Sequence, residues 1–86
     1  MGKFEKLILT ILVAKSDNNI RFDDLCNLLL HLGFDERIKG SHHIFRKSGI
    51  EAKINLQKDK NLAKSYQVKQ VRKILIENYL IGDIDV

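Results

Sequence analysis

Hydrophobic residues near the start of the chain recur every three or four positions, the spacing of an amphipathic helix. The apolar residues on this spacing are Phe4, Leu7, Ile8, Ile11 and Leu12. The pattern predicts a helix over residues 3–14, with one face turned toward a core. The polar stretch KSDNN at residues 15–19 follows and is rich in turn-forming residues.

A second helix is predicted after a short extended segment at residues 20–22. Asp23 belongs to the residue types that are preferred at a helix N-cap. The buried stripe of this helix would be formed by Leu25, Leu28, Leu29 and Leu32. Gly33 stands where a helix commonly ends in a left-handed residue. His31, in the last turn, is expected to be exposed, where it interacts favourably with the helix dipole.

Beyond this second helix the apolar period changes to two, which indicates strands. The predicted strands are residues 35–39, 41–47 and 50–56. A turn at residues 47–49 would join the second and third strands as a hairpin. The third strand alternates most clearly. Its apolar side comprises Ile50, Ala52, Ile54 and Leu56, and its polar side Glu51, Lys53 and Asn55.

A polar, lysine-rich stretch at residues 57–65 predicts a loop before a last helix. Ser65 is suited to cap that helix, which we expect over residues 66–79. Its buried positions would include Val68, Val71, Leu75 and Tyr79. Another face, with positions three and four apart, carries the cations Lys69, Arg72 and Lys73.

The predicted order is helix, helix, three antiparallel strands and helix, an α+β fold in which helices cover one face of a sheet. Without the first helix, the order α-β-β-β-α is that of a double-stranded-RNA-binding-domain-like fold. With 86 residues, the chain is expected to form a single domain. It would consist of an N-terminal helical extension at residues 1–19, a core at residues 20–80 and an acidic, frayed tail at residues 81–86.

The composition is that of a globular protein, with 44% hydrophobic and 30% charged residues. The charge is nevertheless segregated along the chain. Residues 37–73 contain eleven Lys and Arg against only Glu51 and Asp59, a net charge of +9, whereas the segments on either side are net acidic. This asymmetry favours a polyanion as partner. A solvated basic face without a partner is the alternative.

Several features favour a cytoplasmic protein without a membrane anchor. Lys3 and Lys6 precede an apolar run, but Glu5 interrupts the charged part and the run is short for a signal peptide. No apolar stretch approaches the length of a transmembrane helix. Cys26 is the only cysteine, so an intramolecular disulfide is excluded. Its apolar sequence surroundings predict a buried residue in a reducing compartment.

Two adjacent histidines, His42 and His43, follow a Gly-Ser step within the basic segment. They could be a catalytic pair, a metal site or two side chains on opposite faces of a strand. Because neighbouring strand residues point to opposite faces, the third arrangement is predicted. Phe45 shares a face with His43 and is the better candidate for the helix-packed side. His42 would then lie on the open face, with Lys53 and Asn55 on the next strand.

A metal site is disfavoured, because side chains that point apart do not readily share one ion and residues 39–48 contain no acidic residue. A serine–histidine triad at Ser41 is also disfavoured, since no carboxylate is at hand to orient the histidine. We expect neither a metal nor a small-molecule cofactor. An unperturbed imidazole titrates near pH ~6.5 and can both accept and donate a proton. Among cations that hold a phosphodiester, it is suited to general acid–base cleavage of RNA.

Four segments of the chain, in their order and spacing, carry a resemblance to a known family. They are FDDLCNLLLHLGF, KGSHHIF, INLQ and YQVKQVRKIL. The chain resembles the HicA family of bacterial type II toxin–antitoxin toxins, in the longer form that has an extra N-terminal helix. The resemblance covers nearly the whole chain, and the Gly-Ser-His step gains its specificity from the other three segments.

The resemblance implies a small ribonuclease that cleaves mRNA without a metal, with a double-stranded-RNA-binding-domain-like fold. It also implies a partner antitoxin, HicB, that neutralises the toxin by covering its site. The catalytic histidine of the family directly follows Gly-Ser, which here is His42. Gly40 and Ser41 would shape the approach of the backbone to RNA. One departure is that Lys58 and Ser65 stand where relatives often carry proline.

Charge adds further candidates for RNA binding. These are Lys39, Arg46, Lys58, Lys60, Lys69, Arg72 and Lys73, with His43 as a secondary contact. The predicted function is an endoribonuclease toxin in which His42 acts on the ribose 2′-hydroxyl and the phosphodiester while cations stabilise the phosphorane. A non-catalytic module that binds double-stranded RNA through the same basic face is the alternative. A DNA-binding protein ranks last, since no recognition-helix signature is present.

Overall fold

Helices and strands form largely where the two apolar periods predict them, and the chain adopts an α+β fold. The computed structural model describes residues 2–78 and residue 80. Over these residues it contains three α-helices, a short 3₁₀ helix and an antiparallel sheet of four strands, so the prediction of three strands is wrong. The elements are α1 Lys3–Val13, the 3₁₀ helix Asp17–Asn19, α2 Phe22–His31, β1 Asp35–Lys39, β2 His42–Lys47, β3 Ile50–Asp59, β4 Leu62–Ala63 and α3 Ser65–Glu77.

The sheet has the simple order β1-β2-β3-β4, and each strand is antiparallel to the next. Two-residue turns join the strands. The last paired residues on either side of the three turns are Lys39 with His42, Lys47 with Ile50, and Asp59 with Leu62. The predicted hairpin turn between the second and third strands is confirmed. Turns this short fix the register, and with it the face to which each side chain points.

The fourth strand arises in the segment that the sequence predicts as a loop. β3 continues to Asp59, and β4 pairs with its end. The segment before α2 pairs with β4 in turn: Ala63 N–H donates to the Ile20 carbonyl at 2.9 Å, and Phe22 N–H donates to the Asn61 carbonyl at 3.0 Å. Buried backbone groups need hydrogen-bond partners, and this pairing supplies them for the polar segment around β4. The segment has no apolar period of its own that would predict a strand.

Both ends of α2 are defined by backbone geometry. The helix begins at Phe22 with Arg21 at its N-cap, so the predicted cap at Asp23 is wrong. The Asp23 carboxylate lies in the first turn of the helix, where it interacts favourably with the helix dipole. At the other end Gly33 has a φ of +96°. Phe34 N–H donates to the Leu29 carbonyl at 3.0 Å, which completes a Schellman motif. The predicted left-handed glycine is confirmed.

The core lies between the helices and one face of the sheet. β2 and β3 contribute Phe45, Ile54 and Leu56, each fully buried. Ala52 is exposed and is not part of this core, and the pairing register shifts between Phe45 and Lys47, near this end of the sheet. The helices, the loops and β4 supply the remaining buried hydrophobic residues, which are Ile8, Ile11, Ile20, Phe22, Leu25, Cys26, Leu28, Leu29, Phe34, Ala63, Val68, Val71, Ile74 and Leu75.

The N-terminal helix α1 belongs to this same core. Besides its buried isoleucines, Phe4 of α1 stacks on the ring of His31 at 4.3 Å between centroids. At the far end of the chain, α3 begins at Ser65 with Lys64 as its N-cap, so Ser65 is the first helical residue rather than the cap. Tyr79 and the acidic tail at residues 81–86 lie outside the described residues. None of the described helices has both the length and the apolar character that crossing a membrane requires.

Candidate functional site

The hairpin between β1 and β2 presents His42 at the first position of β2. Gly40 has a φ of +61°, and Ser41 follows without a positive φ, the pattern of a type II′ turn that requires glycine first. His42 pairs across the sheet with Lys39 on one side and with Gln57 on the other. The Gly-Ser step thus has a structural reason, because it sets the register that aims His42 at the open face.

His42 is held by a side chain of the neighbouring strand. Its Nδ1 lies 3.2 Å from Oδ1 of Asn55, and both side chains are exposed. Since an amide oxygen only accepts, the ring donates from Nδ1–H, and in the neutral ring Nε2 is then the nitrogen without a proton. The contact therefore selects the tautomer in which Nε2 can act as a base. Strand alternation places Asn55 on this face, but its role depends on the register, and sequence reasoning missed it as a site residue.

His43 points to the opposite face of the sheet. Its Nδ1 lies 2.8 Å from Oε2 of Glu36, and its ring meets Phe22 of α2 edge-on at 4.9 Å. Both the His43 and the Glu36 side chains are partly buried. The predicted separation of the two histidines is confirmed, and the contacts of His43 are with the helix layer rather than with the face that carries His42.

A polar groove runs from His42 to the first turn of α3. It is lined by His42, Asn55, Gln57, Tyr66, Gln67 and Gln70. Gln57 Nε2 donates to Ser41 Oγ at 3.4 Å, and Lys64 Nζ donates to Gln57 Oε1 at 3.5 Å. These bonds connect the hairpin turn, β3 and the start of α3. Sequence reasoning missed Lys64 and Tyr66, because only the docking of α3 against β3 brings Tyr66 into the groove of His42 and Lys64 to Gln57.

Gln67 fixes the position of α3 against the edge of β3. Its side chain is buried, with 1% of its surface exposed. In the amide orientation that satisfies both groups, Gln67 Nε2 donates to the Gln57 carbonyl at 3.3 Å and Gln67 Oε1 accepts from Gln57 N–H at 2.9 Å. The amide therefore replaces the strand partner that Gln57 lacks beyond the short β4. Because a buried amide needs these bonds, the groove beside it has one rigid wall.

The open face of the sheet is cationic around His42. Lys39 and Arg46 lie on it, as the strand alternation predicts, and they line a shallow concavity together with Arg37 and Lys53. Arg37 and Lys53 are absent from the charge-based candidates, although the same alternation puts them on this face. Asp35 is the cross-strand partner of Arg46 and is the acidic residue of this concavity.

The remaining predicted cations are spread over other parts of the molecule. Lys58 and Lys60 lie at the hairpin between β3 and β4, and Lys60 has a φ of +58°. Lys69 and Lys73 are exposed on α3, where Lys73 Nζ lies 3.9 Å from Oε1 of Glu77. These four lysines extend the positive charge over other parts of the surface. The residues nearest to His42 are those of the open face and the groove.

Arg72 is not brought to the surface with the other cations of α3. Its two terminal nitrogens donate to the two carboxylate oxygens of Asp17 at 3.0 and 3.1 Å, and one of them also donates to the Ile11 carbonyl at 3.0 Å. The Arg72 and Asp17 side chains are only 18% and 13% exposed. Arg72 therefore ties α3 to α1 and to the 3₁₀ helix, and we do not count it among the RNA-binding candidates.

Three side chains of the helix-packed side have the donor types of a metal site. Cys26, Glu36 and His43 offer ligand atoms that all lie within 4.8 Å of one another. Sequence reasoning overlooked this set, because it weighed a metal site only at the two adjacent histidines and their near neighbours in sequence. Burial raises the pKa of the Cys26 thiol to about 12, and the charges of Glu36 and Asp23 act in the same direction, against the opposing charge of Lys58. Glu36 and His43 already form a hydrogen bond with each other. A metal ion would have to break that bond and also displace the proton of a thiol whose raised pKa disfavours its loss.

No family model, curated protein or solved structure matches this chain. The function therefore has to be inferred from the geometry of the chain itself. Two features of that geometry are chemically informative: the oriented His42 on a cationic sheet face, and the polar groove that joins His42 to α3.

Proposed function

We propose that this chain is a metal-independent endoribonuclease that cleaves mRNA, with His42 as its catalytic residue. The observation that carries the proposal is the 3.2 Å contact between His42 Nδ1 and Asn55 Oδ1 on an exposed, cationic sheet face. An imidazole held in one tautomer can take a proton from a hydroxyl beside a bound phosphodiester. Cations around it favour binding of the RNA backbone.

Cleavage proceeds by in-line attack of the ribose 2′-hydroxyl. His42 Nε2 takes the hydroxyl proton while the 2′-oxygen forms a bond to phosphorus and the bond from phosphorus to the 5′-oxygen breaks. The leaving 5′-oxygen takes a proton from water, so the products are a 2′,3′-cyclic phosphate and a 5′-hydroxyl. Lys39, the cross-strand partner of His42, and Lys64, whose ammonium group donates to Gln57, offset the negative charge on the phosphorane.

The order of elements supports the proposal at the level of fold analogy. From α2 onward the order is α-β-β-β-β-α, in which β4 is two residues long. We interpret this as a double-stranded-RNA-binding-domain-like fold with one short additional strand. Together with the four sequence segments that resemble HicA, it leads us to propose a toxin of a type II toxin–antitoxin pair that acts in the cytoplasm. A HicB-type antitoxin would cover the face that carries His42.

The test compares wild type with His42→Ala on a labelled single-stranded RNA in EDTA. The wild type is expected to yield fragments that end in a 2′,3′-cyclic phosphate. The rate should fall about 100-fold or more in His42→Ala, because general acid–base catalysis contributes roughly 10²–10⁴-fold. A 2′-deoxy substitution at the cleaved position should block the reaction. His31→Ala removes an exposed histidine of the helix layer and serves as the matched control, with melting curves recorded for all variants.

The same variants, expressed under tight induction, should arrest growth only where His42 is intact. If His42→Ala cleaves RNA as fast as wild type, the catalytic assignment is wrong. If wild type binds RNA and leaves it intact, the chain is instead a non-catalytic RNA-binding module. Product analysis separates these two functions, whereas affinity alone does not, because both bind RNA through the same salt-sensitive contacts.

A further inference from the structure

Tyr66 is a large aromatic side chain that the fold leaves 62% exposed. Other large hydrophobic side chains are also exposed, and isolated cases of this kind need no explanation. Tyr66 differs because it lines the same groove as His42 and Asn55. An exposed aromatic ring beside a candidate catalytic imidazole is accessible to a flat, polarisable group.

The walls of the groove around Tyr66 are made of carboxamides. Asn55, Gln57 and Gln70 line it, and each amide carries both a donor and an acceptor. Their positions are constrained: Gln70 Nε2 donates to the Lys53 carbonyl at 3.4 Å, and Gln57 bonds Ser41 and Lys64. Paired donors and acceptors at fixed places are suited to the edge of a nucleobase, and the ring of Tyr66 is suited to its face.

The backbone of Tyr66 is fixed by its neighbour in sequence. Gln67 is buried and bound to the backbone of Gln57, so the first turn of α3 cannot move away from β3 without breaking those bonds. Lys64, at the N-cap of α3, places an ammonium group at the same end of the groove. The groove thus combines a cation for a phosphate, a ring for a base and a general base for the reaction.

We propose that Tyr66 is a stacking platform for a nucleobase next to the cleaved phosphodiester, and that the substrate is therefore single-stranded RNA. This inference rests on the proposed function and deepens it. A base inside a duplex is covered on both faces by its neighbours and cannot reach a protein ring without leaving the stack. A groove that accepts an unstacked base beside His42 selects single strands, loops or unpaired ends.

The test places a tryptophan at the proposed contact. The chain contains no Trp, so Tyr66→Trp in the His42→Ala background gives a single indole in a protein that binds RNA without cleaving it. A short single-stranded RNA should quench this fluorescence, and a duplex of the same sequence should not. Ile76→Trp in the same background is the matched control, because Ile76 is exposed on α3 and does not line the groove. Its indole should not be quenched.

Affinity measurements on the same background give the second readout. Tyr66→Phe should bind single-stranded RNA like the parent, and Tyr66→Ala should bind about 5- to 150-fold more weakly, the range expected from stacking of one base. Equal affinity for Tyr66→Ala and Tyr66→Phe, or equal quenching by duplex and single strand, would overturn the inference.

The two proposals fail in different ways. If wild type cleaves RNA through His42 but Tyr66→Ala changes neither affinity nor KM, the stacking role alone is wrong. If single-stranded RNA quenches the indole of the Tyr66→Trp variant but wild type leaves RNA intact, the stacking site stands and the nuclease assignment is wrong. If no variant binds RNA, both are overturned.

Discussion

His42 Nδ1 and Asn55 Oδ1 lie 3.2 Å apart on diagonal positions of two paired strands, His42 being opposite Gln57 and Asn55 opposite Ile44. A contact of this kind requires the correct register of both strands. In the neutral imidazole, it also selects which nitrogen carries the proton. The pair therefore joins the fold to the proposed chemistry: the two-residue turn at Gly40 sets the register, and the register brings the orienting amide to the ring.

The first prediction concerns Asn55 as a positioning residue. Asn55→Ala removes the acceptor and should lower kcat about 5-fold, because a hydrogen bond of this kind contributes about 1 kcal/mol, while KM changes little. Asn55→Asp keeps an acceptor oxygen at the same place and should restore most of kcat. Steady-state cleavage kinetics measure both variants, and melting curves establish that they are folded. Equal losses of kcat in Asn55→Ala and Asn55→Asp would contradict the positioning role.

Features that depend on local sequence are those that could be predicted. Gly33 ends α2 in the left-handed region because the apolar period stops there and glycine adopts that conformation without steric cost. The opposite faces of His42 and His43 follow from strand geometry alone. Such inferences need no knowledge of what packs against what, and the structure agrees with them.

Features that depend on long-range pairing could not be predicted. β4 is two residues long, and besides its pairing with β3 it depends on Ile20, some forty positions earlier, whose carbonyl accepts from Ala63 N–H. The helical spacing of Arg72 predicts a surface cation, but its guanidinium instead donates hydrogen bonds to Asp17 and to a carbonyl of α1. Tyr66 reaches the groove of His42 only through the docking of α3. In each case the deciding partner lies far away in the sequence.

The second prediction contrasts two arginines that composition alone treats alike. Arg72→Gln breaks a bidentate pair with Asp17 that is largely shielded from water, and it should lower the free energy of unfolding by about 2–3 kcal/mol. Arg46→Gln lies on the exposed face and should leave that free energy within about 0.5 kcal/mol of wild type. Urea denaturation measures both values.

RNA binding should show the opposite order for these two variants. In the His42→Ala background, Arg46→Gln should weaken binding and reduce the slope of log affinity against log salt by about 0.7, the value for one phosphate contact on a single strand. Arg72→Gln, measured at a temperature where it is folded, should keep the parent slope. A larger loss of salt dependence for Arg72→Gln than for Arg46→Gln would show that Arg72 contacts RNA directly.

The last prediction uses the buried thiol of Cys26. Burial raises the pKa of this thiol to about 12, and the charges of Glu36 and Asp23 add to the effect. Since the thiolate is the reactive form, the folded protein should react with iodoacetamide at pH 8 far more slowly than the urea-unfolded chain.

The same raised pKa makes the Cys26 thiol hold its proton to higher pH in the folded state than in the unfolded state. Stability is therefore fully retained below pH ~9 and falls as the pH rises toward 12, and Cys26→Ser should lose this contribution to the alkaline decline. Rapid alkylation of the folded protein at pH 8 would show that the thiol is exposed and that this part of the core is packed differently.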